Sequence, residues 1–367
     1  MTEHQVHMAR ALELAERARG RVSPNPLVGA VVVRDGVVVG EGWHQGPGTP
    51  HAEVMALGSA GERARRATLY CTLEPCDHVG RTPACTGAVI QAGVSHVVAA
   101  AGDPNPVVDG RGFARLRKAG IDVTVGPREL ESRRLNEAYE RHVTTGLPFV
   151  TLKMAASLDG RTAARDGSSK WITGEAARAD VQTLRAIADA IVVGAGTAIA
   201  DDPSLTVRDP SYSGLPPLRV VVDATGRVPT ELRLFDHEAE TLVATTDDVE
   251  RERVDAWAAA GADVEVVERD RSGRVSLPDL LSRLGKRDVQ SVLVEGGGSL
   301  AWGFVQAGCV DRLVLYVAPK LVGGVDAPGV LMGEGFASVA DALDVDIVSV
   351  ERLGEDLKVV ADVHRDR

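Results

Sequence analysis

Cysteine, aromatic residues and long apolar runs are all scarce in this 367-residue chain, and each scarcity excludes a class of protein. Four cysteines (Cys71, Cys76, Cys85 and Cys309) cannot staple a chain of this size; three of them crowd into 15 positions, a clustering that points to metal binding or catalysis. Aromatics make up 4% of the residues, with only Trp43, Tyr70, Phe113 and Tyr139 before Gly146, too few for a platform on which nucleic-acid bases stack. No uninterrupted apolar stretch approaches the roughly 18–20 residues that cross a bilayer, so no membrane association is expected. Met1-Thr2-Glu3-His4 lacks the basic-then-apolar layout of a secretory leader, which makes a cytoplasmic location the expectation. Excess positive charge is also missing. The formal net charge is −11, with 17 basic against 16 acidic residues through Gly146 and 24 against 36 after it. That balance argues against nucleic-acid binding, and an anionic substrate must be met by a few placed Arg and Lys side chains.

What is present reads as two α/β domains. Hydrophobic residues at 44% and charged residues at 25% suit a folded chain, and the length suits two domains. A helix over 4–19 precedes a hairpin, in which Arg34-Asp35-Gly36 joins two valine-rich runs. Helices over 51–60, 82–92, 112–119 and 129–143 then alternate with strands at 67–72, 95–100 and 121–125, predicting a mostly parallel sheet with helices on both faces. Gly146-Leu147-Pro148 is the best boundary, giving domains 1–146 and 147–367. The second series has strands near 149–154, 190–193, 218–223, 241–245, 263–267, 292–295 and 313–318, with helices at 174–188, 248–260, 277–284 and 299–308. An antiparallel edge hairpin is expected in the tail, 345–363.

His51-Ala52-Glu53 falls at a predicted helix start, Pro75-Cys76 just past a strand, and Cys85 at the next helix start. H-x-E followed by P-C and a second cysteine is the pattern of zinc deaminases. Three N/S ligands leave zinc's fourth position open for water, and a carboxylate two residues from the histidine can reach that water without occupying the metal. His51, Cys76 and Cys85 are therefore candidate ligands and Glu53 the candidate proton carrier. Cys76 and Cys85 are nine apart where the common spacing is three. Cys71, inside a strand, reads as core, and His78 is a candidate for touching substrate.

His51-Ala-Glu53, the stretch from Thr72 through Glu74-Pro75-Cys76-Asp77-His78 to Cys85, and Asn25-Pro-Leu-Val-Gly29 closely resemble the bifunctional riboflavin-biosynthesis deaminase–reductases, in which the wider cysteine spacing is usual. The resemblance implies a cytidine-deaminase-like α/β/α fold for the first domain. It also implies zinc on His51, Cys76 and Cys85, and a substrate pocket that includes Asn25, His44 and Asn105.

Two glycine-rich loops stand out in the second half. Gly194-Ala-Gly196-Thr-Ala-Ile-Ala200 superficially fits a dinucleotide fingerprint, but Asp201-Asp202-Pro203 ends any helix after one turn, where that motif needs a long one. Glu295-Gly296-Gly297-Gly298-Ser299 joins an apolar strand to a helix and is the better phosphate cradle. With Lys153-Met-Ala-Ala-Ser-Leu-Asp-Gly160, Ser169-Lys-Trp-Ile-Thr173 and the segment Gly194–Arg208, these loops resemble the reductase half of the same family. The resemblance implies a dihydrofolate-reductase-like α/β fold and NADPH as cofactor. It implies cofactor contacts from Ala155, Trp171, Thr197, Asp201 and the segment Gly297, Gly298, Ser299, Leu300, Ala301, Trp302 and Gly303. Substrate contacts would come from Ser169, Arg185, Leu205, Arg208 and Glu295. Ala224 stands where the family commonly has serine. Arg185 and Arg208 suit a phosphate grip, and Lys153, Asp201 and Glu295 are unranked candidates for handling a proton. The expected function is zinc-dependent deamination of a phosphoribosylated diaminopyrimidine, followed by NADPH-dependent reduction of its ribosyl group. A homo-oligomer is compatible with this reading. The competing expectations are a nucleic-acid or nucleoside deaminase with a nucleotide-binding accessory domain, and a non-catalytic nucleotide sensor.

Overall fold

The computed structural model describes residues 2–80, 82–210 and 212–363. It divides into two compact units, Met1–Leu147 and Pro148–Arg367. The first runs α1 (Glu3–Glu16), β1 (Gly29–Arg34), β2 (Val37–Trp43), α2 (Ala52–Ala60), β3 (Thr68–Leu73), α3 (Cys85–Ala92), β4 (His96–Ala101), α4 (Arg111–Lys118), β5 (Asp122–Val125), α5 (Glu129–Leu135) and α6 (Glu137–Thr145). Thr2 and Gln5 form a reciprocal capping box that starts α1. Asp35 and Gly36 take φ of 51° and 74°, the paired left-handed turn that closes a β1–β2 hairpin. Alternate residues of β1 face opposite cores: Ala30 and Val32 pack with α2, and Val31 and Val33 with Met8 and Ala11 of α1.

The strand order is β2-β1-β3-β4-β5. It is less parallel than the β-α repeats predict, because β1 runs antiparallel to both β2 and β3 while β3, β4 and β5 are parallel. The apolar β1 is buried on both faces and takes the interior place, which leaves the half-exposed β2 at the edge. The helix expected over 129–143 is two helices. Asn136 interrupts it, its side chain accepting from Leu27 N (2.7 Å) and donating to Leu27 O (3.0 Å), a tertiary pairing that replaces helical continuity.

The second unit contains β6 (Phe149–Ser157), α7 (Glu175–Ile187), β7 (Ala190–Gly194), α8 (Ala195–Asp201), β8 (Leu218–Val222), β9 (Thr241–Thr245), α9 (Arg251–Ala259), β10 (Asp263–Val266), α10 (Leu277–Lys286), β11 (Ser291–Val294), α11 (Gly298–Gln306), β12 (Arg312–Ala318), β13 (Val345–Leu353) and β14 (Asp356–Val363). Its sheet has the order β10-β9-β8-β7-β11-β6-β12-β14-β13. It is parallel from β10 to β12, with an antiparallel hairpin at the β13 edge. After β7 the chain proceeds toward β8 on one side, and after β11 it proceeds toward β12 on the other. The crevice beyond the carboxyl ends of these two neighbours is therefore the topological switch point, where parallel sheets hold ligands. α8 stops after seven residues, with Asp202 at φ 41° ahead of Pro203. No helix among the described residues is long and apolar enough to cross a membrane.

Candidate active sites

In the first unit three junctions converge. His51 precedes α2, Cys76 follows β3, and Cys85 opens α3. Their ligand atoms all lie within 4.8 Å of one another. His51 Nδ1 is 3.1 Å from Cys85 Sγ and 3.6 Å from Cys76 Sγ. A tetrahedral zinc with ordinary Zn–N and Zn–S lengths separates nitrogen from sulfur by about 3.6 Å, so the donor set and its spacing fit that ion. His51 Nε2 lies 3.0 Å from Thr82 Oγ1, which orients the ring with Nδ1 toward the sulfurs. Thr82 carried no role in the sequence reading, although it lies inside the cysteine motif. The adjoining Cys85 thiol, helped by His51, draws the Cys76 thiol down to about 4 against the opposing effect of burial. Cys85 is pushed up by its Cys76 neighbour and by burial.

Glu53 is buried beside this cluster, and burial, reinforced by Cys76, pushes its carboxyl up to about 7. A buried carboxyl whose burial favours its protonated form thus stands beside the three candidate ligands, outside their cluster. Asn25 Nδ2 donates to His44 Nε2 (2.9 Å), His44 Nδ1 faces Pro50 O (3.4 Å), and the His44 and His51 rings meet edge to face at 5.3 Å. Burial holds His44 below its ordinary value, which keeps this ring a neutral partner.

In the second unit the topology brings together the two glycine loops that the sequence separates by a hundred residues. Gly297 N–H donates to Thr197 Oγ1 (3.0 Å), and Leu300 packs over Gly194 and Gly296. Gly298 is required by close approach: a Cβ there would lie 2.6 Å from Gly329 O and 2.7 Å from Met332 Cγ. Beside the crevice, Glu295 receives a fork from Arg185 (Nε–Oε1 2.6 Å, Nη2–Oε2 3.1 Å), and Lys153 Nζ of β6 lies 3.7 Å from Oε2. Burial alone would raise the Glu295 carboxyl; Arg185 and Lys153 outweigh it and hold it below the usual carboxylate range.

Residues 1–101 match the family model of the cytidine and deoxycytidylate deaminase zinc-binding region, and residues 148–359 match the RibD C-terminal domain. The riboflavin biosynthesis protein RibD of Escherichia coli is 44% identical over 97% of this chain and 98% of its own. That of Bacillus amyloliquefaciens is 44% identical over 99% and 100%. The chain belongs to the RibD family. Among solved structures, Acinetobacter baumannii RibD superposes with a TM-score of 0.89 at 40% identity, covering 99% of both chains. A diaminohydroxyphosphoribosylaminopyrimidine deaminase/5-amino-6-(5-phosphoribosylamino)uracil reductase from Thermotoga maritima gives 0.87 at 36% identity, again covering 99% of both. As a RibD family member the chain is a bifunctional enzyme of riboflavin biosynthesis, a zinc-binding cytidine-deaminase-like unit followed by an NADPH-using reductase unit.

The residues that the family resemblance assigns to the two pockets differ in how much of each side chain is free to meet a ligand. Arg185 is buried, with Nε and Nη2 donating to Glu295 and Nη1 donating to Thr206 O (3.1 Å). The Leu205 side chain is 1% exposed in the core of the second unit, which leaves only its backbone to face a ligand. Ala301 and Trp302 are buried; Trp302 packs edge to face on Phe336 and crowds Gly333, and Gly303 faces Leu277. The exposed part of the cradle is Gly297 and Ser299. His78 is exposed. Asn105 spends its side chain on Val107 N (3.0 Å) and Tyr139 Oη (3.4 Å). Trp171 is exposed under the Arg178 guanidinium (4.6 Å), and Ala155, Ser169 and Asp201 are half-buried. Arg208 is exposed, its backbone N–H held by Gln182 (2.8 Å).

Proposed function

We propose that residues 1–146 deaminate a phosphoribosylated diaminopyrimidine and that residues 147–367 reduce the ribosyl group of the product to a ribityl chain. The carrying observation is the His51–Cys76–Cys85 cluster with buried Glu53 beside it, in a chain whose second unit has its own charged crevice. His51, Cys76 and Cys85 would hold zinc, which supplies a Lewis acid that makes water a nucleophile near neutral pH. Glu53 takes the proton from the attacking water and returns it to the departing ammonia. Asn25 and His44 orient the pyrimidine beside His51, and His78 and Asn105 remain candidates for its outer edge.

Thr197, Asp201, Trp171, Ala155 and the Gly297–Ser299 turn would hold NADPH, which would supply the hydride for the sugar carbon. Lys153 donates the accompanying proton from Nζ, and Glu295, braced by Arg185, orients Lys153. Ser169 and Arg208 meet the polar and phosphorylated end of the substrate. A chain with scarce aromatics and no basic excess suits a small phosphorylated substrate rather than nucleic acid, and dependence on NADPH and on reduced thiols suits the cytoplasm. Mass spectrometry of the pyrimidine product tests this. Without NADPH the product should carry only the change from amino to carbonyl, and with NADPH two further hydrogens. A product unchanged by NADPH would reject the reductase half.

A further inference from the structure

We propose that Glu74 is a positioning residue that seats the zinc ligand Cys76 by anchoring its loop to α4, a helix that contributes no ligand. The proposal rests on the ligand assignment above. Glu74 is buried two residues before Cys76, and its carboxylate collects three backbone donors from the β4–α4 connection and the start of α4: Gly110 N (3.0 Å) and Asp103 N (3.4 Å) on Oε2, and Phe113 N (3.1 Å) on Oε1. The next residue is gripped sterically. A Cβ at Gly112 would lie 1.9 Å from Pro75 O, so α4 presses against the Glu74-Pro75-Cys76 backbone at a distance that only glycine permits.

Beyond Cys76 the same helix holds the other side, where Arg115 Nη1 donates to Asp77 Oδ1. Thr86 Oγ1 reaches that same oxygen (2.6 Å), and Thr86 N donates to Cys76 O (3.2 Å). Cys76 thus lies between two anchored neighbours, on a loop with no regular structure of its own. Outer contacts of this kind set ligand position and are worth about 10–100-fold in metal affinity.

The test is competition for zinc ion between the full-length protein and a chelator, alongside thermal unfolding of the zinc-free form. Glu74→Gln keeps shape but places an amide NH2 against a backbone N–H in either orientation; it should weaken zinc retention about 10–100-fold. Arg115→Ala, on the surface, should weaken it severalfold and decides the matter if the buried variant fails to fold. Ser132→Ala, which loses the buried hydrogen bond to Thr72 O on β3, should lower stability and leave zinc affinity at the parent value. Cys76→Ser checks the underlying assignment. Full zinc retention in Cys76→Ser would overturn the ligand set and this proposal with it. Loss in Cys76→Ser with parental affinity in both α4-directed variants would overturn the proposal alone.

Discussion

Breaking a buried ion pair costs far more than trimming a surface cation, and Arg185 and Arg208 fall on opposite sides of that divide. Arg185→Ala would leave the Glu295 carboxylate buried with Lys153 at 3.7 Å as its remaining cation; a loss of about 3–5 kcal/mol in urea unfolding is expected. Arg208→Ala should change stability by less than about 0.5 kcal/mol and raise KM for the reduction, so steady-state kinetics beside unfolding curves separates the two. Arg208 closes the Gly194–Arg208 motif and Arg185 lies on α7, yet as candidate phosphate grips the two look equivalent in sequence. The ion-pair partner of Arg185 lies 110 positions away, which no local pattern reveals. The cluster of candidate zinc ligands was legible because each sits at a strand or helix end within a short motif, and their ligand atoms lie within 4.8 Å of one another. Thr82 and Glu74 lie in the same motif but act through tertiary partners.

Asp103 adds a pH-dependent term. Burial pushes its carboxyl up to about 6, against the lowering effect of hydrogen bonds from Asn105 N and Tyr139 Oη. The folded state therefore holds the proton more tightly than the unfolded chain. This stabilisation is complete below about pH 4 and is lost as pH rises through about 6. Asp103→Asn should remove a loss of about 2–3 kcal/mol between pH 4 and 7. The readout is the difference between parent and variant unfolding at the two pH values; an unchanged difference would contradict the assignment.

At the scale of elements, strand and helix positions follow the apolar pattern closely, because the central strands β7, β8, β9 and β11 of the second unit are buried on both faces and read as short, nearly continuous apolar runs. Two features escaped that reading. The antiparallel placement of β1 depends on which hairpin strand is buried on both faces, and the break at Asn136 depends on a side chain that pairs with Leu27 across the fold. The glycine cradle at the start of α11 was legible as a loop, but the reason for Gly298 was not. It accommodates Gly329 and Met332, with Met332 N donating to Gly298 O (3.0 Å), rather than only opening a phosphate site. Gly298→Ala should displace the 329–332 segment and lower NADPH oxidation about tenfold or more, in line with the sensitivity of positioned chemistry to small misplacements. Ammonia release should stay at the parental rate. An unaltered NADPH rate would contradict the close-packing account.

At the scale of the whole molecule, one chain is expected to carry two separate chemistries. The residues assigned to deamination all lie in the first unit and those assigned to reduction all lie in the second. The most direct measurement uses Glu53→Ala, because Glu53 stands outside the candidate ligand cluster and its loss should leave the metal in place. Ammonia release and NADPH absorbance are followed in parallel, the first on the diaminopyrimidine substrate and the second on the already deaminated pyrimidine, with zinc content and fold verified. A missing acid–base group should lower deamination about 10²–10⁴-fold, while NADPH oxidation continues near the parental rate. Loss of both activities on their own substrates would contradict the two-site account and require one composite site.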